Sequence, residues 1–564
     1  MTSSQKMRTI ILSLGLGFIM IIVLGRLVAL QVRGLITTPE RDVMVADYPD
    51  RGIIYDRNGA VLASNTQDYQ IGASTNFVRH RADEIAGILA PILNTPQFTL
   101  RERMMSNNQF VVLAGRVPAS TAETIRNIEE LSSLQVEPMP RRIYPQNELM
   151  CHTLGFVNYG GDGLAGLEAY YDNELAGQAN FRLINFSPLH PRPSVIARQG
   201  TDLVLTIDRS VQYLVEQHLQ RALIEHGAES GTIIVMDPRT GALLAVANLP
   251  CFDPARFYEY TDTDLNQNPA IAQQFEPGSI MKVITMAAAL DAGVVTPNST
   301  YYDPGVIELG GHRIRNWDYS APGTTDMTML LARSLNVGAA TLAYWMGPDI
   351  FYTYMQRFNF GRPLGVDVAA EGTGTVKIPG NSNWAESDLG TNSFGQGIAT
   401  TPLQMVAATA ALANEGRMMR PYLVQEIHHQ GQVTRIEPTV ISSPIQPQTA
   451  REVTAMAVVS VRQEVFGAQV EGYTVAGKTG TAEIPIPGFG YHPSDTIGAF
   501  IGWLPADDPQ LIILVKLDRP RSSQWGSMTA APVFAQLVQE LVVLLDIPPD
   551  HIRHRAGQVA AQGQ

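Results

Sequence analysis

The chain has 564 residues, 45% of them hydrophobic, and a formal net charge of −13 at pH 7. This length suffices for two or more domains with hydrophobic cores. The acidic balance and the absence of runs rich in lysine and arginine argue against a nucleic-acid partner, because binding to phosphates needs a basic face. No histidine spacing is typical of metal ligands, so we expect no metal and no cofactor. The two cysteines, Cys151 and Cys251, can pair in an oxidising compartment or remain free buried thiols.

The first part of the chain is an apolar segment. No charged residue lies between Thr9 and Gly25, and apolar character resumes after Arg26. Residues 9–32 would form roughly 36 Å of helix, which is enough to span a bilayer. The alternative is a cleaved signal peptide, but the run is longer than a typical signal and no A-x-A cleavage site follows it. We therefore predict a short cytoplasmic tail, residues 1–8, and an uncleaved single-pass anchor in the cytoplasmic (inner) membrane, with the rest of the chain outside the cytoplasm.

Short strand-like segments and turns characterise residues 33–200. Around Asn58 and Gly59, two apolar segments flank a turn and predict a hairpin. Charged residues here, such as Arg141 and Arg142, are more typical of solvated or salt-bridged positions than of catalysis. We interpret residues 33–200 as a spacer or interaction domain.

The pattern changes after residue 200. A strand and a long amphipathic helix are predicted for residues 201–227, and apolar runs around turns predict hairpins at residues 231–248 and 496–517. A mostly helical segment, residues 266–416, lies between the hairpins, and a further helix follows the second one. Strands at both ends with helices between them predict an α+β domain, residues 201–548, in which helices cover an antiparallel sheet.

Lysine is rare in this chain, since only five of the 40 basic side chains are lysine. An ammonium can lose its proton inside a protein whereas a guanidinium cannot, so a lysine can mark a place where amine chemistry is needed. In the stretch FEPGSIMKVIT, Ser279 and Lys282 lie one turn apart at the start of a predicted helix. The amine can then reach the hydroxyl, and the free N–H groups at the helix start stabilise developing negative charge. This pattern indicates an activated serine nucleophile that needs no histidine.

Two further motifs follow. LARSLNVGAA places Ser334 two residues before Asn336, and VAGKTGTAEI places Lys478 and Thr481 on a predicted strand. Each motif alone has an ordinary interpretation, as a helix hydroxyl or a surface charge. The order S-x-x-K, S-x-N, K-T-G resembles that of the penicillin-binding proteins and serine β-lactamases, and two of the five lysines lie in it. We expect charge alone from the three lysines outside the motifs, Lys6, Lys377 and Lys516.

The resemblance covers nearly the whole chain and points to the class B, monofunctional, penicillin-binding proteins. Four segments resemble sequence boxes of that class: RGIIYDRNGAVLA (51–63), RRIYP (141–145), GLAGLEAYYDNELAG (163–177) and SFGQGIATTPLQM (393–405). The class implies a transmembrane helix at residues 9–32 and an elongated pedestal or dimerisation-like domain at residues 33–200. It further implies a transpeptidase domain of α+β fold at residues 201–548. Residues 549–564 look like a disordered tail.

The segment FEPGS, residues 275–279, resembles the septal, cell-division branch of the class. An elongation-type transpeptidase is the alternative role. The class implies a peptidoglycan D,D-transpeptidase that acts on the stem peptides of lipid-linked or nascent glycan and that β-lactams acylate. It also implies partners at the membrane, namely a polytopic glycosyltransferase and divisome proteins.

The resemblance assigns catalytic roles to five motif residues, Ser279, Lys282, Ser334, Asn336 and Lys478. Ser279 would attack the carbonyl between the two terminal D-alanines of a stem peptide, and Lys282 would accept its proton. Ser334 would relay a proton to the leaving amine. Asn336 would hold Lys282 and the substrate amide.

The third motif would bind the substrate. Lys478, with Thr479 and Thr481 on either side of Gly480, would face the terminal carboxylate of the stem peptide. The backbone N–H groups of Ser279 and Thr481 would form the oxyanion hole. The amine of a second stem peptide would then attack the acyl-enzyme and complete the cross-link.

Three alternatives remain open. A β-lactamase shares the motifs, but a secreted hydrolase needs neither the anchor nor the pedestal. A β-lactam sensor would need an additional signalling region, whereas only a few residues precede the anchor. A division scaffold without enzymatic activity would be expected to lack a catalytic group, and no motif group is missing.

Overall fold

The computed structural model describes residues 3–37, 43–47, 50–177, 180–184, 199–261, 265, 267–486, 488 and 490–555. The chain falls into two compact units, Met1–Pro49 with Gly177–Gln199 and Asp50–Ala176 with Gly200–Gln564. The second unit combines most of the predicted pedestal with the predicted transpeptidase domain.

The helices that the structure describes are α1 (Ser3–Thr37), α2 (Thr75–Val78), α3 (Ala82–Leu93), α4 (Gln97–Met104), α5 (Ala119–Arg126), α6 (Cys151–Leu154), α7 (Gly166–Tyr170), α8 (Asp172–Ala176), α9 (Arg209–His226), α10 (Met281–Asp291), α11 (Met327–Ala332), α12 (Asn336–Arg357), α13 (Glu386–Asn392), α14 (Pro402–Ala413), α15 (Pro447–Glu464) and α16 (Ala530–Leu544). The strands are β1 (Val43–Asp47), β2 (Ile54–Tyr55), β3 (Val61–Ser74), β4 (Phe110–Pro118), β5 (Gln135–Ile143), β6 (Asn180–Ile184), β7 (Asp202–Leu205), β8 (Ser230–Met236), β9 (Leu243–Leu249), β10 (Thr300–Asp303), β11 (Val306–Leu309), β12 (His312–Arg315), β13 (Gly323–Asp326), β14 (Met418–Met419), β15 (Val424–His429), β16 (Gln432–Arg435), β17 (Val440–Ser442), β18 (Ala476–Ile486), β19 (Gly490–Leu504) and β20 (Leu511–Asp518).

The first unit contains α1 and a two-stranded antiparallel sheet in which β1 pairs with β6. Large apolar side chains of α1 between Leu14 and Val28 are exposed. Among the residues that the structure describes, no helix has both the length and the hydropathy needed to cross a membrane. The anchor at residues 9–32 therefore stays a prediction.

A seven-stranded sheet connects the predicted pedestal with the transpeptidase domain. β2 pairs in parallel with β7, with Ile54 opposite Leu203, and antiparallel with β3. β15 and β16 extend the sheet beyond β7, and β4 and β5 both pair with β3. The hairpin predicted around Asn58 and Gly59 is confirmed, because β2 and β3 flank that turn. Backbone hydrogen bonds thus cross the boundary expected near residue 200, so the two parts form one unit.

A buried ion cluster stabilises the base of the pedestal. The fully buried Glu168 accepts hydrogen bonds from Arg51 Nε at 2.6 Å and from Arg142 Nε at 2.7 Å. Arg51 also pairs with Asp172. Removing one partner would leave a buried charge uncompensated, at a cost of about 3–5 kcal/mol. Arg142 is therefore a salt-bridged, structural residue.

The second half of the chain forms a five-stranded antiparallel sheet in the order β18-β19-β20-β8-β9. Alternate residues of β20 face opposite sides, as Ile513 and Val515 do relative to Ile512 and Leu514. Helices α9 and α16 cover one face, and α14 and α15 contact the other. The predicted α+β arrangement, an antiparallel sheet covered by helices, is confirmed.

The segment between the two hairpins is less helical than predicted. Besides α10 to α14 it contains four short strands, which pair as β10 with β13 and β11 with β12. Each of these strands has four residues. An alternation this short carries little periodic signal, which is why the sequence did not predict them.

The predicted disordered tail is ordered in its first part. Residues 550–555 are helical, and Asp550 accepts a hydrogen bond from the backbone N–H of Thr474 at 2.7 Å. Arg553 forms ion pairs with Asp507 and Asp550. These contacts with distant residues order a segment whose composition is typical of a tail. Residues 556–564 lie outside the described residues.

Cys151 and Cys251 form a disulfide, with Cα atoms 6.1 Å apart. The bond joins α6 to the segment after β9 and closes a loop across 100 residues of sequence. Phe156 and Phe252 pack beside it. Among the described residues, three possible metal ligands lie together, Cys151, His152 and Cys251, but both sulfurs are engaged in the disulfide.

Candidate active site

Ser279 lies in a short 3-10 turn, Gly278–Ile280, immediately before α10. Gly278 has a φ of 55°, in the left-handed region that favours glycine. The Ser279 side chain is partly exposed, whereas its neighbours Gly278 and Ile280 and most of α10 are buried. The turn therefore presents one accessible hydroxyl at the start of an otherwise buried helix.

Lys282 is enclosed at the centre of the site, with 1% of its surface exposed. Its Nζ lies 3.0 Å from Ser279 Oγ and 3.1 Å from Ser334 Oγ. It donates to the carbonyl oxygen of Ser334 at 2.6 Å and to Oδ1 of Asn336 at 2.7 Å. One amine thus connects the first two sequence motifs.

Ser334 and Asn336 reach Lys282 from the junction between α11 and α12. Ser334 has a φ of 59°, a left-handed conformation that is costly for a residue other than glycine and is found at functional sites. Asn336 is the first residue of α12, and its Nδ2 donates to the carbonyl oxygen of Arg315 at 3.0 Å. This bond orients the amide, so that Oδ1 faces Lys282.

The K-T-G motif lies on β18, at the edge of the five-stranded sheet. Lys478 is also 1% exposed, and its Nζ donates to Ser334 Oγ at 3.0 Å and lies 3.3 Å from Thr479 Oγ1. Thr481 Oγ1 accepts a hydrogen bond from the backbone N–H of Gly526 at 3.2 Å. The Ser334 hydroxyl is therefore shared by two amines, those of Lys282 and Lys478.

Gly480 allows β18 to approach the turn that carries Ser279. A Cβ at this position would lie 2.9 Å from the side chain of Ile280 and 3.1 Å from the carbonyl oxygen of Pro277. Real Cβ atoms rarely come so close to other atoms. The absence of a side chain at Gly480 therefore sets the spacing between strand and turn.

Burial dominates the electrostatics of the two amines. It lowers the pKa of Lys282 well below the ordinary lysine value, and the nearby charge of Lys478 lowers it further. Burial also lowers the pKa of Lys478, to about 7. This shift favours the uncharged form of Lys282, which has two hydrogens and a lone pair. If its hydrogens point to its two shortest contacts, the Ser334 carbonyl and Asn336 Oδ1, the lone pair remains for the hydroxyl of Ser279.

The structure brings together all the residues that the three motifs predict, although they come from α10, the α11–α12 junction and β18. The sequence analysis missed an aromatic pair beside them. Trp317 Nε1 donates to the carbonyl oxygen of Arg333 at 3.1 Å, next to Ser334. Its ring centre lies 5.2 Å from that of Trp525, which precedes Gly526. The two tryptophans belong to loops far apart in the chain, so no local pattern indicates that they meet.

Two family models match the chain. One, described as the penicillin binding protein transpeptidase domain, matches residues 231–539, and one described as the penicillin-binding protein dimerisation domain matches residues 46–190. The chain belongs to the penicillin-binding protein family. A dimerisation domain ahead of a transpeptidase domain is the organisation of a class B penicillin-binding protein, and this member is an enzyme of the transpeptidase type.

Individual relatives support the family assignment over most of the chain. Stage V sporulation protein D of Bacillus subtilis is 31% identical over 520 residues, which cover 89% of this chain and 79% of the relative. Peptidoglycan D,D-transpeptidase FtsI of Escherichia coli is 29% identical over 514 residues, covering 89% and 84%. A crystal structure of penicillin binding protein 3 from Mycobacterium tuberculosis, complexed with aztreonam, is 27% identical with a TM-score of 0.70, covering 90% of this chain and 98% of that one.

Proposed function

We propose that this penicillin-binding protein is a peptidoglycan D,D-transpeptidase that works through an acyl-enzyme on Ser279. The observation that carries the proposal is the enclosed amine of Lys282, which lies 3.0 Å from Ser279 Oγ and whose pKa is lowered by burial. A relative named peptidoglycan D,D-transpeptidase and a similar structure that holds aztreonam support peptidoglycan stem peptides as substrates and β-lactams as acylating inhibitors.

In the acylation step, Ser279 Oγ attacks the carbonyl carbon between the two terminal D-alanines of the donor stem peptide. Lys282 accepts the hydroxyl proton as the bond from Oγ to carbon forms. When the bond from carbon to nitrogen breaks, the terminal D-alanine leaves. Its amine takes up a proton, which passes from Lys282 through the hydroxyl of Ser334, since that hydroxyl lies within 3.1 Å of Lys282 Nζ.

Lys478, Thr479 and Thr481 bind the terminal carboxylate of the donor in this proposal. An arriving carboxylate favours the charged form of Lys478, whose pKa burial lowers to about 7. The backbone N–H groups of Ser279 and Thr481 stabilise the oxyanion of the tetrahedral intermediate. The amine of a second stem peptide then attacks the acyl carbon, the ester bond to Ser279 breaks, and a new amide cross-link forms, while Lys282 takes the proton of the amine and returns it to Ser279 Oγ.

We further propose that the enzyme acts in septal wall synthesis during cell division. The segment FEPGS and the similarity to FtsI and to a sporulation protein support this role. The proposed location is the cytoplasmic membrane, with an anchor at residues 9–32 and the catalytic domain outside the cytoplasm. The disulfide between Cys151 and Cys251 supports an oxidising location, because cytosolic proteins rarely keep disulfides. A polytopic glycosyltransferase and divisome proteins are the proposed partners, on the class resemblance alone.

Labelling with a fluorescent penicillin tests the nucleophile. We expect a labelled band for the wild type and none for Ser279→Ala, because Ser279 carries the hydroxyl proposed as the nucleophile. Ser210→Ala is the matched control, since Ser210 also lies in the first turn of a helix, α9, and should leave the label intact. A labelled and folded Ser279→Ala protein would reject the assignment.

The septal role is tested in cells whose only copy of the protein is the Ser279→Ala variant. We expect filaments with blocked septa, whereas rounded cells that still divide would indicate an elongation role.

A further inference from the structure

One carboxylate close to the nucleophile has no role in the proposed reaction. Glu276 is half-buried and lies three residues before Ser279. Its Oε1 accepts a hydrogen bond from the backbone N–H of Gly397 at 3.0 Å, and its Oε2 accepts one from the hydroxyl of Tyr491 at 3.0 Å. The three residues come from the turn before α10, the loop after α13 and strand β19. A single side chain therefore joins three separate segments around Ser279.

Tyr491 lies on the part of the β18–β19 hairpin that projects beyond the sheet. We call Ala482–Ile486 and Gly490–Thr496 the hairpin extension. β19 pairs with β20 only from Ile497 onward, whereas within the extension β18 and β19 pair with each other. Among the described residues, no further strand pairs with the extension, so we expect side-chain contacts at its far end to help fix its position.

A second contact supports the same arrangement. Gln396 Nε2 donates to Glu483 Oε2 at 3.0 Å. Gln396 precedes Gly397, so both contacts tie the hairpin extension to one loop. Glu483 is exposed while Glu276 is half-buried, and electrostatic contacts weaken as solvent screens them. The bond from Gly397 to Glu276 is therefore expected to contribute more than the bond to Glu483, whereas the bond from the exposed Tyr491 is screened to a similar degree.

The turn that carries Ser279 is packed tightly between this loop and β18. The N–H of Gly278 donates to the carbonyl oxygen of Gly395 at 3.1 Å. A Cβ on Gly278 would lie only 2.8 Å from the carbonyl oxygen of Thr481. A shift of the loop after α13 or of strand β18 would therefore displace Ser279. A displacement of about 1 Å is enough to slow a reaction about a hundredfold.

The chemistry of the carboxylate suits its position. An ionised carboxylate has acceptors only, and its two neighbours, the N–H of Gly397 and the hydroxyl of Tyr491, are both donors. Burial raises the pKa of Glu276, the nearby charge of Glu483 adds to this, and the charge of Lys377 opposes it. The two hydrogen bonds offset the cost of holding the charge in this environment.

We propose that Glu276 is a positioning residue for the acylation of Ser279. It does not touch the reacting atoms. Its two hydrogen bonds hold the hairpin extension and the loop after α13 in place on either side of the nucleophile's turn. The inference rests on the proposed function in taking Ser279 as the nucleophile.

The test separates the initial binding of a fluorescent penicillin from the chemical step, by rapid mixing with the purified full-length protein. Glu276→Ala should lower the acylation rate constant about ten- to a hundredfold and leave the dissociation constant of the initial complex nearly unchanged. Glu276→Gln should restore the rate to within about threefold of wild type, because its amide oxygen accepts from Gly397 and its nitrogen donates to the phenol oxygen of Tyr491. Tyr491→Phe should also slow the reaction. It should slow Glu276→Ala little further, since both changes break the same hydrogen bond between Tyr491 and Glu276.

Glu426→Ala is the control, because this carboxylate pairs with Arg435 on the seven-stranded sheet and should not affect acylation. A wild-type rate constant in folded Glu276→Ala overturns the proposal, as does Glu276→Gln reacting as slowly as Glu276→Ala. If Glu276→Ala does not fold, a wild-type rate constant in Tyr491→Phe overturns it. A wild type that penicillin does not label would instead reject the proposed function, so the two failures are distinguishable.

Discussion

Two lysines, Lys282 and Lys478, carry the chemistry proposed for this protein, because a lysine can lose a proton where an arginine cannot. Lys282 and Lys478 are each 1% exposed, and burial lowers both pKa values. Lys516 is buried too, at 2% exposure, where its Nζ pairs with Asp518 and lies 5.4 Å from the ring centre of Phe275. Both contacts are interactions of a charge, and the expectation that Lys516 supplies charge alone stays a prediction.

Lys282→Arg should abolish acylation by penicillin. A permanent cation cannot accept the proton of Ser279, and the loss of a general base costs about 100- to 10,000-fold in rate. The measurement is the second-order acylation rate as a function of pH. For the wild type the rate should rise with pH through the lowered pKa of Lys282, because only the uncharged amine is a base. A folded Lys282→Arg protein that reacts within about tenfold of wild type would show that Lys282 is not the base.

Lys478→Arg is the matched variant in the same series. We expect an intermediate rate, since a guanidinium still attracts the substrate carboxylate but has a different shape. Above pH 7 the wild-type rate should fall, because burial lowers the pKa of Lys478 to about 7 and the amine loses its charge there. Arginine keeps its charge, so this alkaline decrease should disappear. An unchanged alkaline decrease in Lys478→Arg would assign it to another group.

At the scale of elements, the site depends on how closely strand β18 approaches the turn before α10. The approach is possible because Gly480 has no side chain to meet Ile280 and Pro277. Gly395 similarly has no side chain at its contact with Gly278. Gly480 in the K-T-G motif and Gly395 outside the three motifs thus let neighbouring segments approach the Ser279 turn closely.

Gly480→Ala should move β18 away from the Ser279 turn. The new methyl group would lie within 3.1 Å of the Pro277 carbonyl oxygen, which cannot easily move. Overpacking of this kind costs about 1–3 kcal/mol in the free energy of unfolding, and we expect acylation to slow by at least about tenfold. Gly115→Ala on β4 is the control, since no atom lies within 4 Å of its added Cβ. Equal acylation rates for the two variants would contradict the packing argument.

At the scale of the molecule, two features tie the predicted pedestal to the transpeptidase domain. The pairing of β2 with β7 places both in one sheet, and the disulfide between Cys151 and Cys251 joins them a second time. The buried Glu168, held by Arg51 and Arg142, strengthens the pedestal close to this junction. The second unit is therefore expected to unfold as a whole.

Replacing both cysteines, Cys151→Ser with Cys251→Ser, should lower the free energy of unfolding by about 2–4 kcal/mol, because the bond restricts the unfolded chain across a long loop. Thermal melts with and without a reductant check this. The reductant should lower the midpoint of the wild type and leave that of the double variant unchanged. Identical midpoints for wild type and double variant in oxidising buffer would mean that the bond contributes no stability.

The sequence by itself determined the order of the three motifs and the main secondary structure around them. A spacing of three residues at the start of a helix brings Lys282 close to Ser279, and apolar runs around turns predict the hairpins of the five-stranded sheet. These inferences succeed because they depend on the geometry of neighbouring residues. Ser279 and Lys282, the proposed nucleophile and base, both lie within one such short segment.

Only the tertiary structure decided how the segments meet. Ser334 reaches both amines, Cys151 pairs with Cys251, and Glu276 bonds to Tyr491, a residue 215 positions away. The pKa values of the two amines also depend on burial, which the whole domain produces. No local spacing contains this information, because contacts between distant residues arise only when the sheets and helices have packed together.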